Sequence, residues 1–226
     1  MSIGLAIMVK TPGHSSVKTR LAADTSVEFA DEWHRRAADC VARVSRNCAR
    51  LAPYWAVAER SAAGDTLWNE LPVLLQDEGS LGERMASVHA QLMQRHSGGI
   101  LIGADAPQLT AELLDEAAQW LAHDEPRLVI GPARDGGFWL FGANRQLPMS
   151  AWTTTPYSRS DTEAVFRHAM RGHGDWLELP ALTDLDRLTD IKAVVAELGA
   201  LAQPTAAQVG LVAWLCLHTF ATPSAE

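Results

Sequence analysis

The sequence predicts an α/β fold: a mostly parallel central sheet with helices on both faces. Two observations lead there. Short apolar or β-branched runs alternate along the chain with longer segments of helical period. The loops rich in glycine, proline and charge come where a strand would hand over to a helix, at the sheet's carboxyl edge. The chain has 226 residues, enough for one large domain that buries most of its apolar surface. Residues 1–203 are expected to form that domain, and residues 204–226 a C-terminal apolar helix with a frayed tail, Ala221–Glu226.

Residues 3–9 are apolar and β-branched, as a buried strand requires. Thr25-x-x-Glu28 has the capping-box pattern and opens a helix to about Arg50, with Phe29, Trp33, Cys40, Val41, Val44 and Cys48 recurring at helical spacing. Strands follow at 54–58 and 73–76. Ser80-x-x-Glu83 caps a helix whose apolar face is Leu81, Met85, Val88 and Leu92, and Gly98-Gly99 ends it. Residues 100–104 form a strand that Pro107 breaks, and Thr110 caps a helix over 111–122. Strands at 128–131 and 138–141 flank the Asp135-Gly136-Gly137 turn. Ser160-x-x-Glu163 starts a helix to about Met170. A strand over 176–179 ends at Pro180, and helices are expected near 191–201 and, after Thr205-x-x-Gln208, near 206–218.

Composition narrows the function. The chain is 47% hydrophobic and 20% charged, as in ordinary globular proteins, and its net charge of −8 argues against a nucleic-acid surface. Cys40, Cys48 and Cys216 have no metal or redox spacing, which fits a reducing, cytoplasmic setting. The N-terminal apolar run lacks a charged leader and is short for a signal peptide, and the apolar segment 209–220 is short of a membrane span. That segment is expected to be buried or to face a partner, leaving monomer and homodimer open.

Five loops carry candidate chemistry. The first is Lys10-Thr-Pro-Gly-His-Ser-Ser-Val-Lys18-Thr-Arg20. Only three lysines stand beside sixteen arginines, and two of the three are here. Lys10, Lys18 and Arg20, with backbone N–H groups near Gly13, suit the oxygens of a polyphosphate. The spacing is that of neither a P-loop nor a dinucleotide fingerprint. The second, Gln76 to Arg84, offers Gln76 as donor and acceptor for a base edge, and Gly79 and Gly82 for close approach. The third ends a strand in Asp105, where a carboxylate needs a partner or a cation such as Mg²⁺ or Mn²⁺. The fourth, Asp135-Gly136-Gly137, is either a plain hairpin turn or the seat of a hydroxylated acceptor. In the fifth, Asp184 and Asp186 stand at i and i+2 and can both reach one cation, or serve as helix-start acids. The histidines show no ligand spacing and read as surface or local hydrogen-bonding residues.

With these motifs in order, the chain resembles small bacterial GT-A-type proteins labelled arsenosugar-biosynthesis glycosyltransferase-like, and is similar to molybdenum-cofactor and phospholactate nucleotidyltransferases. The resemblance rests on Lys10-Thr-Pro-Gly, Lys18-Thr-Arg-Leu21, Gln76 with Gly79-Ser-Leu-Gly-Glu-Arg-Met85, Ile102-Gly-Ala-Asp-Ala-Pro107, Gly131-Pro-Ala-Arg-Asp-Gly-Gly-Phe-Trp-Leu140 and Asp184-Leu-Asp186. It covers residues 1 to about 200. It implies a single-domain nucleotide-diphospho-sugar transferase fold. It implies that Lys10, Gly13, Lys18 and Arg20 hold phosphates, that Gln76, Gly79 and Gly82 lie near the base, and that Asp105, Asp184 and Asp186 hold Mg²⁺ or Mn²⁺. Asp135, Gly136 and Gly137 would face the acceptor.

The chemistry expected is a metal-assisted transfer from a nucleotide-sugar to a small-molecule acceptor, with Lys18 and Asp105 as the catalytic pair. Two alternatives stand beside it. One is nucleotidyl transfer from a triphosphate to a small phosphorylated acceptor, which would need the same stabilisation of a leaving diphosphate. The other is a non-catalytic nucleotide-binding protein, suggested by Ala106 where the resemblance implies a hydroxyl.

Overall fold

The computed structural model describes residues 2–219. Seven strands form one sheet: β1 (Ile3–Val9), β2 (Leu51–Val57), β3 (Val73–Leu75), β4 (Gly99–Gly103), β5 (Arg127–Pro132), β6 (Phe138–Ala143) and β7 (Asp175–Glu178). Their order is β3-β2-β1-β4-β6-β5-β7. All neighbours are parallel except β6, which runs against β4 and β5. The exception follows from chain length. A parallel return needs a crossover of a dozen or more residues, and residues 133–137 are too few. The carboxyl ends of the other six strands therefore share one edge with the β5–β6 turn.

The helices are α1 (Thr19–Asp24), α2 (Val27–Arg46), α3 (Leu81–Met93), α4 (Ala111–Leu121), α5 (Met149–Thr153), α6 (Thr162–Ala169), α7 (Ile191–Gly199) and α8 (Ala206–Thr219). They cover both faces, and β1 shows why. Ile3, Leu5 and Ile7 enter a cluster with Val41 of α2 and Leu114 of α4. Ala6 and Met8 point the other way, toward Met85 and Val88 of α3 and Phe166 of α6. This is the period-two alternation of a strand buried on both sides. A third cluster joins Leu21, Trp33, Leu185, Ile191, Leu211 and Leu215, in which α8 packs against both α2 and α7. Cys40 and Cys48 are core residues as expected, and burial pushes their thiols up to about 12 and about 11.

Several boundaries differ from expectation, each for a local reason. Ser26, not Thr25, caps α2 by accepting from Phe29 N–H at 3.1 Å. Thr25 instead donates to Leu21 O at 2.7 Å, closing the short α1. Helix α2 stops at Arg46 because β2 must start at Leu51 to pair with Ile3. Ser160 does not cap α6, which starts at Thr162, and the five-residue α5 gave too short a pattern to read. The Ser80–Glu83 capping box forms, and Thr205 and Gln208 cap α8 reciprocally. The tail expected to fray, Ala221–Glu226, lies outside the described residues. Among the described residues no helix is long and apolar enough to cross a membrane.

Candidate functional site

All five loops meet at the carboxyl edge of the sheet around a cavity of about 630 Å³. Its floor is an ion cluster. Lys18 Nζ lies 2.8 Å from Asp184 Oδ1, 2.8 Å from Asp186 Oδ1 and 3.2 Å from Asp105 Oδ2, with its side chain 6% exposed. Arg20 bonds the other oxygen of Asp186 at 3.0 Å. Lys18 caps α1 in the left-handed region, φ 43° and ψ 49°. For a residue with a side chain that backbone costs about 1 kcal/mol or more. The three carboxylate contacts hold it there.

The packing explains how the sequence builds this floor. Leu185 is fully buried in the third core cluster. In extended chain its neighbours face the opposite way, so Asp184 and Asp186 both turn to the cavity. Leu21, in the same cluster, anchors the chain just after Arg20. Gln208 of α8 donates to Pro107 O at 2.7 Å and Leu109 O at 3.1 Å, fixing the loop after Asp105. Gln108 in turn donates to Thr183 O, and Glu197 of α7 accepts from Thr183 N–H. The C-terminal helices thus brace the site.

The electrostatics are strained in one direction. Burial alone would lower the ammonium pKa of Lys18, but Asp105, Asp184 and Asp186 together raise it well above its ordinary value. Burial would raise Asp105, yet Lys18 first and His34 second hold it well below the usual carboxylate range. Asp184 goes the other way. Burial pushes it up to about 7, the charges of Asp105 and Asp186 add to this, and Lys18 opposes it. Three carboxylates face the buried ammonium of Lys18 and the exposed guanidinium of Arg20, so with Asp184 ionised the cluster carries one excess negative charge.

A divalent cation fits that excess. One oxygen from each of Asp135, Asp184 and Asp186 can come within 4.8 Å of the others, an all-oxygen set of the kind Mg²⁺, Mn²⁺ and Ca²⁺ use. Asp105 is not in that set, and its Oδ1 is buried without a hydrogen bond. That set is two of the three expected ligands plus Asp135, which was expected to face an acceptor.

Of the other expected residues, Lys10, Arg20 and Gln76 line the cavity. The Gln76 amide N–H groups donate to Val9 O at 3.2 Å and Ala56 O at 2.8 Å. Two backbone acceptors fix the amide that way round, so toward the cavity Gln76 can only accept. Gly13, Gly79 and Gly82 are not in the cavity wall. At Gly82 a Cβ would meet Trp152 O at 2.5 Å, so this glycine serves the packing of α3 on α5. At Gly136 a Cβ would lie 1.9 Å from Ser160 O, which seats the β5–β6 turn against Ser160. Asp135 accepts from Gly137 N–H at 2.9 Å, closing that turn.

Three contributors were missed. His34 on α2 bonds Lys10 O at 2.9 Å through Nε2 and places Nδ1 3.5 Å from Asp105 Oδ1, tying the first loop to the third. A histidine one residue after the buried Trp33, on the inner face of α2, was the available signal. Arg84 and Arg159 add two cations to Lys10, Lys18 and Arg20 in the lining. Nothing marked Arg159, because residues 154–161 form an irregular loop whose Ser158 is also left-handed, φ 64°.

A family profile described as "Uncharacterized protein conserved in bacteria (DUF2064)" matches residues 34–159, more than half of the chain. The chain belongs to this family. The match contains His34, Gln76, Asp105, Asp135 and Arg159, and lies between the Lys10–Arg20 loop and Asp184. No curated protein matches the chain significantly. Among solved structures, a protein from Desulfovibrio desulfuricans G20, provisionally named a nucleotide-diphospho-sugar transferase, is similar with a TM-score of 0.79 at 21% identity, over 95% of this chain and 99% of that one. A CMP:2-keto-3-deoxy-manno-octonic acid synthetase complexed with CTP has a TM-score of 0.57 at 11% identity, over 88% and 99% of the two chains. A nucleotidyl transferase from Methanothermobacter thermautotroptrophicus gives 0.57 at 10% identity, over 88% and 99%. The fold is that of the nucleotide-diphospho-sugar transferases, as expected.

Proposed function

We propose that the protein is a divalent-metal-dependent transferase with a nucleotide-sugar donor. The observation that carries this is the Lys18–Asp105–Asp184–Asp186 cluster on the floor of a cation-lined cavity at the carboxyl edge of the sheet. Ligands of open α/β sheets bind at that edge. The resemblance to glycosyltransferase-like and cofactor nucleotidyltransferase proteins belongs to this reading.

In it, Lys10, Lys18 and Arg20 take the phosphates, with the loop backbone at Gly13. Gln76 accepts a hydrogen bond from the base, and Gly79 and Gly82 shape the helix start below it. Asp184 and Asp186 hold Mg²⁺ or Mn²⁺, with Asp135 and Asp105 nearby. When bound, the cation supplies charge neutralisation for a leaving diphosphate. Lys18, released from Asp184 and Asp186 as the cation takes their oxygens, and Arg20 add positive charge at the same place. Asp135, with Gly136 and Gly137 behind it, orients the acceptor. The three free cysteines fit a reducing, cytoplasmic setting.

Five cations around one cavity also suit a triphosphate, and this favours nucleotidyl transfer as the second reading. A thermal-shift screen of nucleotide-sugars and nucleoside triphosphates, each with and without Mn²⁺, separates them. A Mn²⁺-dependent shift with a nucleotide-sugar supports the first reading, and one with triphosphates alone supports the second. A shift that needs no metal, followed by no turnover, points to a binding protein. No shift with any compound sinks all three.

A further inference from the structure

A second cavity of about 220 Å³ opens beside the first. The two share Met8, Leu81, Asp135, Ser158 and Arg159 where they meet. Their chemistry differs. The second is walled by Met85, Leu101, Phe138 and Tyr157, and the polar tips of Tyr157, Trp139 and Thr162 are spent inside the protein, leaving Ser158, Arg159 and Asp135 as the polar groups at its mouth. Tyr157 O–H donates to Trp152 O at 2.7 Å, Trp139 Nε1–H to Pro180 O at 3.1 Å, and Thr162 O–H to Pro156 O at 3.1 Å. The rings face the space while their polar ends do not. Asp135 stands at the junction with one oxygen held by Gly137 N–H, leaving the other for a ligand.

We infer that this cavity seats the body of the acceptor, a compact apolar group of roughly one aromatic ring that presents a hydroxyl to Asp135; a dry cavity of about 150 Å³ holds benzene. The inference rests on the transferase reading, since only that reading needs a second substrate at this junction. Gly103 keeps the space open. It lies on the same face of β4 as Leu101, and a Cβ there would meet nothing nearer than Asp105 N at 3.9 Å. A larger side chain at 103 therefore grows into the cavity.

The test is saturation-transfer NMR of benzyl alcohol, with glycerol as the polar control, on the full chain and on Gly103→Leu. Nucleotide-sugar and Mn²⁺ binding are measured on the same samples. Saturable millimolar binding of benzyl alcohol, none of glycerol, and a loss of about tenfold or more in Gly103→Leu are expected, because the added side chain takes up the ring's space. If that variant does not fold, Gly103→Ala is expected to give a smaller loss of about two- to threefold. Absent binding to the wild type, or equal affinity in a folded variant, overturns the inference. If the wild type binds nucleotide and Mn²⁺ but not benzyl alcohol, only the acceptor inference falls. If it binds benzyl alcohol but no nucleotide, the transferase reading falls and takes the acceptor role with it.

Discussion

Replacing Lys18 by methionine keeps most of the length of the side chain and removes its charge. In the apo protein this leaves Asp105, Asp184 and Asp186 facing one another with no ammonium between them. Removing one partner of a buried ion pair costs about 3–5 kcal/mol, because the remaining charge is left uncompensated. The three carboxylates remain 28–32% exposed, so solvent screening keeps the cost near the lower end, about 3 kcal/mol. For a chain of this size that lowers the melting temperature by about 6–12 °C. Mn²⁺ should then recover much of the loss, since a ligand at a hundred times its Kd adds about 2.7 kcal/mol. The wild type should gain less, because Lys18 already occupies oxygens that the metal would use. Differential scanning fluorimetry of both proteins over a Mn²⁺ series reads this out. A variant that melts with the wild type, or an equal Mn²⁺ shift in both, would refute the idea that ammonium and cation compete for one cluster.

Three further outcomes are expected. His89 is buried, and burial pulls its imidazole down from 6.5 to about 4. Between those values the unfolded chain takes up the proton first, so stability is complete above pH 6.5 and falls toward pH 4 by about 3 kcal/mol; urea melts of wild type and His89→Leu at pH 7 and 4.5 should show the variant losing less. Gln208→Ala removes the donor to Pro107 O and Leu109 O, and should cost about 2 kcal/mol in a urea melt and weaken Mn²⁺ binding at a site the residue never touches. Because Gln76 can only accept, a nucleotide whose base donor is blocked should bind more weakly: in competition titrations 3-methyl-UDP, which lacks the uracil N3–H, should bind about fivefold more weakly than UDP, the worth of one neutral hydrogen bond.

The fold was legible because its strands are buried on both faces. Residues 3–9 and 100–104 read as strands from composition alone, and loops of special chemistry followed them. Antiparallel β6 was less visible, since its direction is set by the shortness of the 133–137 turn and not by its side chains. Asp105, Asp184, Lys18 and Arg20 could be named because a charge beside a buried strand or an isolated lysine is costly or rare. That Lys18 sits among the aspartates could not be read, because the contact spans about 170 positions and depends on one left-handed backbone angle. Gly82 looked like an approach for a ligand and instead admits the Trp152 carbonyl. Sequence shows that a side chain is missing, not which neighbour fills the space. The role of α8 was hidden likewise, since Gln208 acts on a loop a hundred residues away.

Whether the carboxylates at the sheet edge hold a metal together with a nucleotide is tested most directly by Mn²⁺ EPR. The titration compares the wild type with the Asp184→Asn/Asp186→Asn double variant, with and without the best nucleotide from the screen. The wild type should bind Mn²⁺ and change its signal when nucleotide is added, while the double variant leaves the Mn²⁺ free under the same conditions. Equal binding by the two proteins, or a bound Mn²⁺ that does not respond to nucleotide, would contradict the site.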